Sequence, residues 1–263
     1  MILQTIADAT IERVAYEKSI IKPEDMIAKA KSMEINDLFP FEKALTKPGI
    51  SFICEAKKAS PSKGIIAQDF PYVQIAQDYE KAGADAMSVL TEPKWFMGKD
   101  EYLTEIRKAV SLPLLRKDFT VDEYMIYEAR VLGASAVLLI CSILTKEEIK
   151  KFLAICDELG LSALVEAHDE AEIKLAVECG ARLIGVNNRN LKDFSVDTGN
   201  SARLRSLVPD DVVFVSESGV SGSEDIDAIR AMGANAALVG EALMRATDKK
   251  KKLLELKGIK ENS

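Results

Sequence analysis

Glu55 and Lys57 stand two residues apart at the end of an apolar run covering residues 50–56, and on a strand that spacing sends both side chains to one face. The same run-then-charge pattern recurs down the chain. Lys117 follows 113–115, Glu166 follows 163–165, Asn187 and Arg189 follow 183–186, Glu217 follows 212–215 and Glu241 follows 236–239. One carboxylate beside one ammonium can serve only to order a strand, and taking the pair out of water is costly. Lysines, carboxylates, an amide and an arginine gathered at matching strand ends offer more. They supply general acids, general bases and anion binders that shift one another's proton affinity. Proton transfer on a bound small molecule is the chemistry such a set allows.

A second signal lies in the loops. Ser218-Gly219 and Gly240 open the last two, and small residues there let backbone N–H groups approach an anion. With Ser60 and Lys63 in the first loop, they point to a phosphate-bearing small-molecule substrate. Other chemistries find little support. His168 is the single histidine, so a Ser–His–Asp triad is not expected, and its place before Asp169 suits a structural role at a helix start. Cys54, Cys141, Cys156 and Cys179 form no CxxC and read as free thiols. No motif calls for a metal or an organic cofactor.

The elements that must position these residues show an alternation. Eight short apolar runs, at residues 50–56, 86–90, 113–115, 136–140, 163–165, 183–186, 212–215 and 236–239, are mostly continuous rather than alternating, as strands covered on both faces should be. Helix-length amphipathic segments such as 71–82, 122–132, 146–159 and 169–179 separate them. Gly83, Gly133, Gly180 and Gly233 each follow a helical segment and lead into the second, fourth, sixth and eighth runs. Glycine at that position stops a helix in the left-handed conformation. Eight strands with eight crossovers close into a (β/α)8 TIM barrel, an α/β fold whose active sites lie at the C-terminal strand ends. No GxGxxG follows the first run, which weighs against a doubly wound sheet. Residues 1–48 differ from the rest: Leu3, Ala7, Ile11 and Val14 fall on one helical face, and Pro23-Glu24-Asp25 reads as a second helix start. The expectation is one barrel domain over residues 1–263 with a helical N-terminal extension.

The bulk properties agree. Net charge of −7 argues against a nucleic-acid or acidic-membrane partner. Charged residues interrupt the apolar pattern of the N-terminus, unlike a signal peptide, and the longest apolar stretch, 136–144, is too short for a membrane span. A cytoplasmic monomer or weak homodimer is expected.

Seven ordered motifs carry a resemblance: Ile53-Cys54-Glu55-Ala56-Lys57-Lys58-Ala59-Ser60-Pro61-Ser62-Lys63-Gly64, Leu90-Thr91-Glu92, Leu115-Arg116-Lys117-Asp118-Phe119, Leu164-Val165-Glu166-Ala167-His168, Gly185-Val186-Asn187-Asn188-Arg189-Asn190-Leu191, Val215-Ser216-Glu217-Ser218-Gly219 and Val239-Gly240-Glu241. Together they resemble the indole-3-glycerol phosphate synthase family almost end to end. The resemblance implies a carboxy-lyase of tryptophan biosynthesis. It would close the indole ring of 1-(2-carboxyphenylamino)-1-deoxyribulose 5-phosphate with loss of carbon dioxide and water. It implies Lys117 as general acid and Glu166 as general base of the dehydration, with Lys57, paired to Glu55, assisting. Asn187 and Glu217 would hold polar groups of the reacting chain, and Arg189 the anthranilate carboxylate. Ser60, Ser218, Gly219, Gly240 and Glu241 would surround the phosphate, and the helical extension would help cover the barrel mouth. An aryl ring also needs an apolar slot, for which Pro61, Phe96, Leu138, Leu191 and Leu238 are candidates.

Two alternatives bracket this reading. A sugar-phosphate isomerase or epimerase barrel would call for a facing carboxylate pair, a Cys–Asp pair or a metal with several histidines. A binding-only barrel would be expected to have lost one of its proton-transfer residues, and Lys57, Lys117, Glu166 and Glu217 are all present.

Overall fold

The computed structural model describes residues 2–190 and 194–259. Eight parallel strands form a closed barrel: β1 (Ser51–Ala56), β2 (Ala86–Leu90), β3 (Leu114–Lys117), β4 (Ala136–Ile140), β5 (Ser162–Ala167), β6 (Leu183–Asn187), β7 (Val213–Glu217) and β8 (Ala236–Val239). β1 pairs with both β2 and β8, which closes the ring. A short antiparallel hairpin, Ala59–Ser60 with Gly64–Ile65, follows β1.

Side chains divide by strand parity. Ile53, Leu115, Leu138, Leu164, Val215 and Leu238 pack together inside the barrel, while Phe52, Cys54, Val137, Val165 and Phe214 join the larger core between strands and helices. Every residue of β1, β4, β5, β7 and β8 is buried, the expected state of strands covered on both faces. Because Ile53 points inward, period two brings Glu55 inward above it. β3 is longer than the apolar pattern suggests and carries Lys117 as its last residue.

Of the helices outside the barrel, α4 (Tyr72–Lys81), α5 (Asp100–Ala109), α6 (Glu123–Leu132), α7 (Lys146–Leu159) and α8 (Glu170–Glu178) follow β1 to β5 in turn. After β6 and β7 come α9 (Gly199–Arg205) and α10 (Ser223–Ala231), and after β8 come α11 (Glu241–Arg245) and α12 (Lys249–Leu256). Their caps follow the sequence. Thr145 and Glu148 form a reciprocal capping box at the start of α7. Gly83, Gly133, Gly180 and Gly233 all take positive φ, between 78° and 90°, where the repeat predicts helix ends.

The N-terminal extension reaches both ends of the barrel. α1 (Ile2–Ile20) buries Ile6, Ala7, Thr10 and Val14. Ile11, expected on the inward face, is instead 54% exposed. Thr10 takes the inward position because its hydroxyl bonds back to Ile6 O at 2.9 Å, which satisfies its one polar group. α2 (Pro23–Lys31) packs on α6. α3 (Pro40–Leu45) closes the N-terminal end of the barrel: Phe41 and Leu45, fully buried, join the interior cluster. Backbone groups tie it there, Glu42 N to Ser162 Oγ at 3.2 Å and Ser51 Oγ to Ala44 O at 3.3 Å. No helix among the described residues is long and apolar enough to cross a membrane.

Candidate active site

At the C-terminal strand ends the inward positions become charged. Lys117 Nζ lies 3.0 Å from Glu166 Oε2 and 2.8 Å from Glu217 Oε2. Lys57 Nζ donates to Glu55 Oε1 at 2.6 Å, and Ser88 Oγ to Glu55 Oε2 at 3.3 Å. Strand register makes the cluster possible: Glu166 pairs with Gly185, and Glu217 with both Asn187 and Leu238. Two glycines leave room for it. A methyl group at Gly185 would overlap Glu217 Oε1, and one at Gly240 would come within 2.6 Å of Glu55 Oε1.

The electrostatics follow from burial and proximity. Burial alone would depress the Lys117 ammonium, but Glu166, Glu217 and Glu55 together hold it well above its ordinary range. Glu166 is favoured as a carboxylate: burial pushes it up, and Lys117, His168 and a hydrogen bond from Asn187 pull it below its usual value. Glu55 is likewise lowered, burial being outweighed by Lys57 and Lys117. Glu217 is the exception. Burial and the Glu166 charge raise it to about 7 despite Lys117. Its Oε1 is buried and has no hydrogen-bond partner among the described residues. Two carboxylates on one ammonium thus differ in charge, one a base and the other able to carry a proton near neutrality.

These groups line a cleft at the C-terminal mouth of the barrel. Pro61, Phe96, Leu138 and Leu238, four of the five aryl-slot candidates, all lie on its wall; Leu191 falls outside the described residues. Residues the sequence reading did not assign to the site join them: Phe119, whose ring centroid is 5.9 Å from that of Phe96, and Ile2, Leu3 and Ile6 of α1. Their neighbours explain their placement. The buried Glu92 accepts hydrogen bonds from the backbone N–H groups of Lys94, Trp95 and Phe96 at 2.7–2.9 Å, which sets the loop presenting Phe96. Asp118 accepts from Thr91 Oγ1 at 2.7 Å and Arg13 Nη2 at 2.8 Å, holding α1 against the ends of β2 and β3.

Asn187 Oδ1 accepts from Ser218 Oγ at 2.9 Å and from Arg189 N at 3.0 Å, linking the loops after β6 and β7. Asn188 makes the same link from below. Its amide donates to Ser216 Oγ at 3.2 Å and Ser218 O at 3.1 Å and accepts from Ser201 N and Oγ. Ser218 holds φ of 67°, a left-handed conformation costly for a residue with a Cβ, and this network maintains it.

Beyond Lys57 the cleft continues into a recess lined by Ser218, Gly219, Gly240, Lys63, Arg245 and Lys252. Ser60 lies on the cleft wall, its Oγ 3.5 Å from that of Ser62, which borders both spaces. Glu241 does not leave a bare negative charge there: Arg245 Nε is 3.0 Å away, Lys63 Nζ 3.4 Å and Arg189 Nη2 3.9 Å. Arg245 and Lys252 were not legible as site residues, because both sit on helices after the last strand.

Comparison with known proteins bears on what this cleft does. Residues 3–256 match the family model described as indole-3-glycerol phosphate synthase. The chain is 54% identical over 258 residues to the indole-3-glycerol phosphate synthase of Ruminiclostridium cellulolyticum, covering 98% of this chain and 99% of that protein. It is 52% identical to that of Endomicrobium trichonymphae, covering 98% of this chain and all of that one. Among solved structures, a 3-hexulose-6-phosphate synthase superposes with a TM-score of 0.63 at 17% identity, over 80% of this chain and 100% of that one, a likeness of fold alone. With a barrel of this topology and relatives of this identity along nearly its whole length, the chain belongs to the indole-3-glycerol phosphate synthase family.

Proposed function

We propose that the protein converts 1-(2-carboxyphenylamino)-1-deoxyribulose 5-phosphate to indole-3-glycerol phosphate, as a carboxy-lyase of tryptophan biosynthesis. The observation that carries this reading is Lys117, held between Glu166 and Glu217 in an apolar-walled cleft that continues past Lys57 into a cationic recess. The aryl ring would lie against Phe96, Pro61, Leu138 and Leu238. The phosphate would enter the recess, where Ser218, Gly219 and Gly240 bring backbone close and Lys63 and Arg245 supply charge.

In ring closure the aryl carbon bearing the carboxylate attacks the ribulose carbonyl, and negative charge develops on its oxygen. An ammonium at Lys117 donates a proton there. Arg189 would hold the carboxylate until the carbon–carbon bond to it breaks and carbon dioxide leaves. Dehydration then needs a base and an acid on opposite sides of the new ring. Glu166 is kept ionised for the first task, and Lys57, steered by Glu55, faces the leaving hydroxyl. Glu217, with its unpartnered oxygen and affinity for a proton near neutrality, would hold a substrate hydroxyl. A sugar-phosphate isomerase would favour facing carboxylates without a cation between them, and Lys117 occupies that place here. The start of α1 would cover the bound substrate, and the protein would act in the cytoplasm as a monomer or weak homodimer.

The test is to mix purified protein with that substrate without added metal or cofactor and follow indole fluorescence and carbon dioxide together. Equal amounts of both products are expected. Neither product from a folded sample would leave only a phosphate-binding barrel.

A further inference from the structure

The recess beyond the cleft is lined by the cations Lys57, Lys63, Arg189, Arg245 and Lys252, and a carboxylate answers each of them. Lys57 has Glu55 at 2.6 Å, and Lys252 has Glu255 at 2.8 Å. The other three share one carboxylate. Glu241 Oε1 lies 3.0 Å from Arg245 Nε and 3.4 Å from Lys63 Nζ, and its Oε2 lies 3.9 Å from Arg189 Nη2. Among the described residues, neither Lys63 nor Arg245 forms another ion pair. Glu241 itself stands on the wall of both the cleft and the recess. Burial raises the proton affinity of its carboxyl, but Arg245 and Lys63 outweigh that effect and hold it below its ordinary value, as an anion.

These partners are the cations that would meet the two anionic ends of the substrate. Lys63 and Arg245 face the phosphate and Arg189 the aryl carboxylate, an assignment that rests on the activity proposed above. In the free protein one carboxylate therefore stands in for two anions. When substrate enters, its phosphate draws Lys63 and Arg245, and its carboxylate draws Arg189. Glu241 then loses its partners and remains as a third negative charge beside them, which opposes binding. A free phosphate ion meets the same opposition without the contacts that the aryl ring and carboxylate bring. Loss of carbon dioxide removes one of the two anions, and Arg189 can return to Glu241 while the product is still bound.

We propose that Glu241 is a positioning residue that acts as an internal counter-ion. It holds Lys63, Arg189 and Arg245 in the free protein and competes with phosphate for them. It thereby weakens the grip of the recess on phosphate-bearing ligands that lack the carboxylate, the product among them. A residue that only braced the cations for phosphate would behave in the opposite way, because losing it would loosen the phosphate site. Glu241→Gln separates the two roles. The amide oxygen still accepts a hydrogen bond from Arg245, so the charge is removed and the brace is kept.

The test titrates inorganic phosphate into wild type and Glu241→Gln by calorimetry and measures KM for the substrate with both. Expected is phosphate binding tighter by about threefold to tenfold in the variant, on the scale of one or two partly exposed ion pairs, with a lower KM as well. Adding Arg245→Gln to the variant should abolish the gain, which places the phosphate in the recess. Unchanged or weaker phosphate binding by folded Glu241→Gln overturns the proposal, and so does a gain that survives Arg245→Gln. The titration needs no turnover, so a wild type that forms no indole would count against the activity while the titration still decides the role of Glu241.

Discussion

Arg116 and Lys117 are adjacent on β3, both cationic and both ringed by carboxylates, yet they face opposite sides of the barrel wall. Arg116, 2% exposed, points outward under α5 and α6. Its guanidinium meets Asp100 Oδ1 at 2.8 Å, Glu128 Oε2 at 2.7 Å, Met125 O at 3.1 Å and Thr91 Oγ1 at 3.3 Å. That set satisfies a fork of donors and borders neither the cleft nor the recess described above. Lys117 points inward and meets two carboxylates, one with an oxygen left unpartnered, and all three line the cleft. Both clusters also hold a carboxylate raised to about 7, Glu17 on the outside and Glu217 within, in each case chiefly by burial. Buried charge and a shifted proton affinity therefore do not by themselves mark a reactive site. What separates the two is the open cleft before the inner one, since Glu17 Oε2 on the outer side is also buried without a hydrogen-bond partner among the described residues.

The contrast can be broken from either side. Arg116→Met should cost about 3 kcal/mol of stability, because it leaves the half-buried Asp100 and Glu128 carboxylates without their shared cation. Chemical denaturation measures that loss, and the folded fraction should retain a kcat close to wild type. On the inner side, Gly185→Ala should displace the Glu217 carboxylate and cost roughly 1–3 kcal/mol of overpacking, with a larger fall in rate than in stability. An unaltered rate there would mean that Glu217's position is immaterial.

A third effect sharpens the comparison through pH. The folded protein holds a proton on Glu217 up to about 7, against an ordinary value of 4.5. The native state therefore binds more protons than the unfolded chain in that window, and stability falls as pH rises through it. Glu217→Gln removes this dependence, so its stability should gain on wild type between pH 5 and pH 8, by at most about 3 kcal/mol. A constant gap between the two melting curves would contradict the assignment. The smallest effect is expected at the contact between α1 and the site. Arg13→Ala frees Asp118 of one partner and should raise KM about threefold to tenfold, on the scale of a lost charged hydrogen bond, with kcat little changed.

Much of this was legible in the sequence. The eight strands and the glycines ending alternate helices follow from apolar runs and local backbone preference, which act over a few residues. Lys57, Lys117, Glu166, Asn187 and Glu217 were legible because strand parity carries an inward apolar position to an inward charged one. What escaped depends on partners far away in the chain. Nothing local says that Thr10 rather than Ile11 faces the core, or that Phe41 and Leu45 close the far end of the barrel. Asn188, without an evident role in the sequence, is explained by three serines, two of them on β7 and its loop. His168 reads as a helix-start residue until Glu166 and Glu172 are seen on either side of its ring. Phe119 lies two residues from a lysine in sequence and beside Phe96 only in space.

The most direct test of the account is a single-turnover measurement of indole formation by Lys117→Ala at a concentration of folded protein matched to wild type. The account predicts a fall of roughly a thousandfold or more, within the range expected for a lost general acid with its electrostatic contribution. A rate within tenfold of wild type would contradict it and leave Lys117 a counterpart of Arg116, a cation that only holds the barrel together.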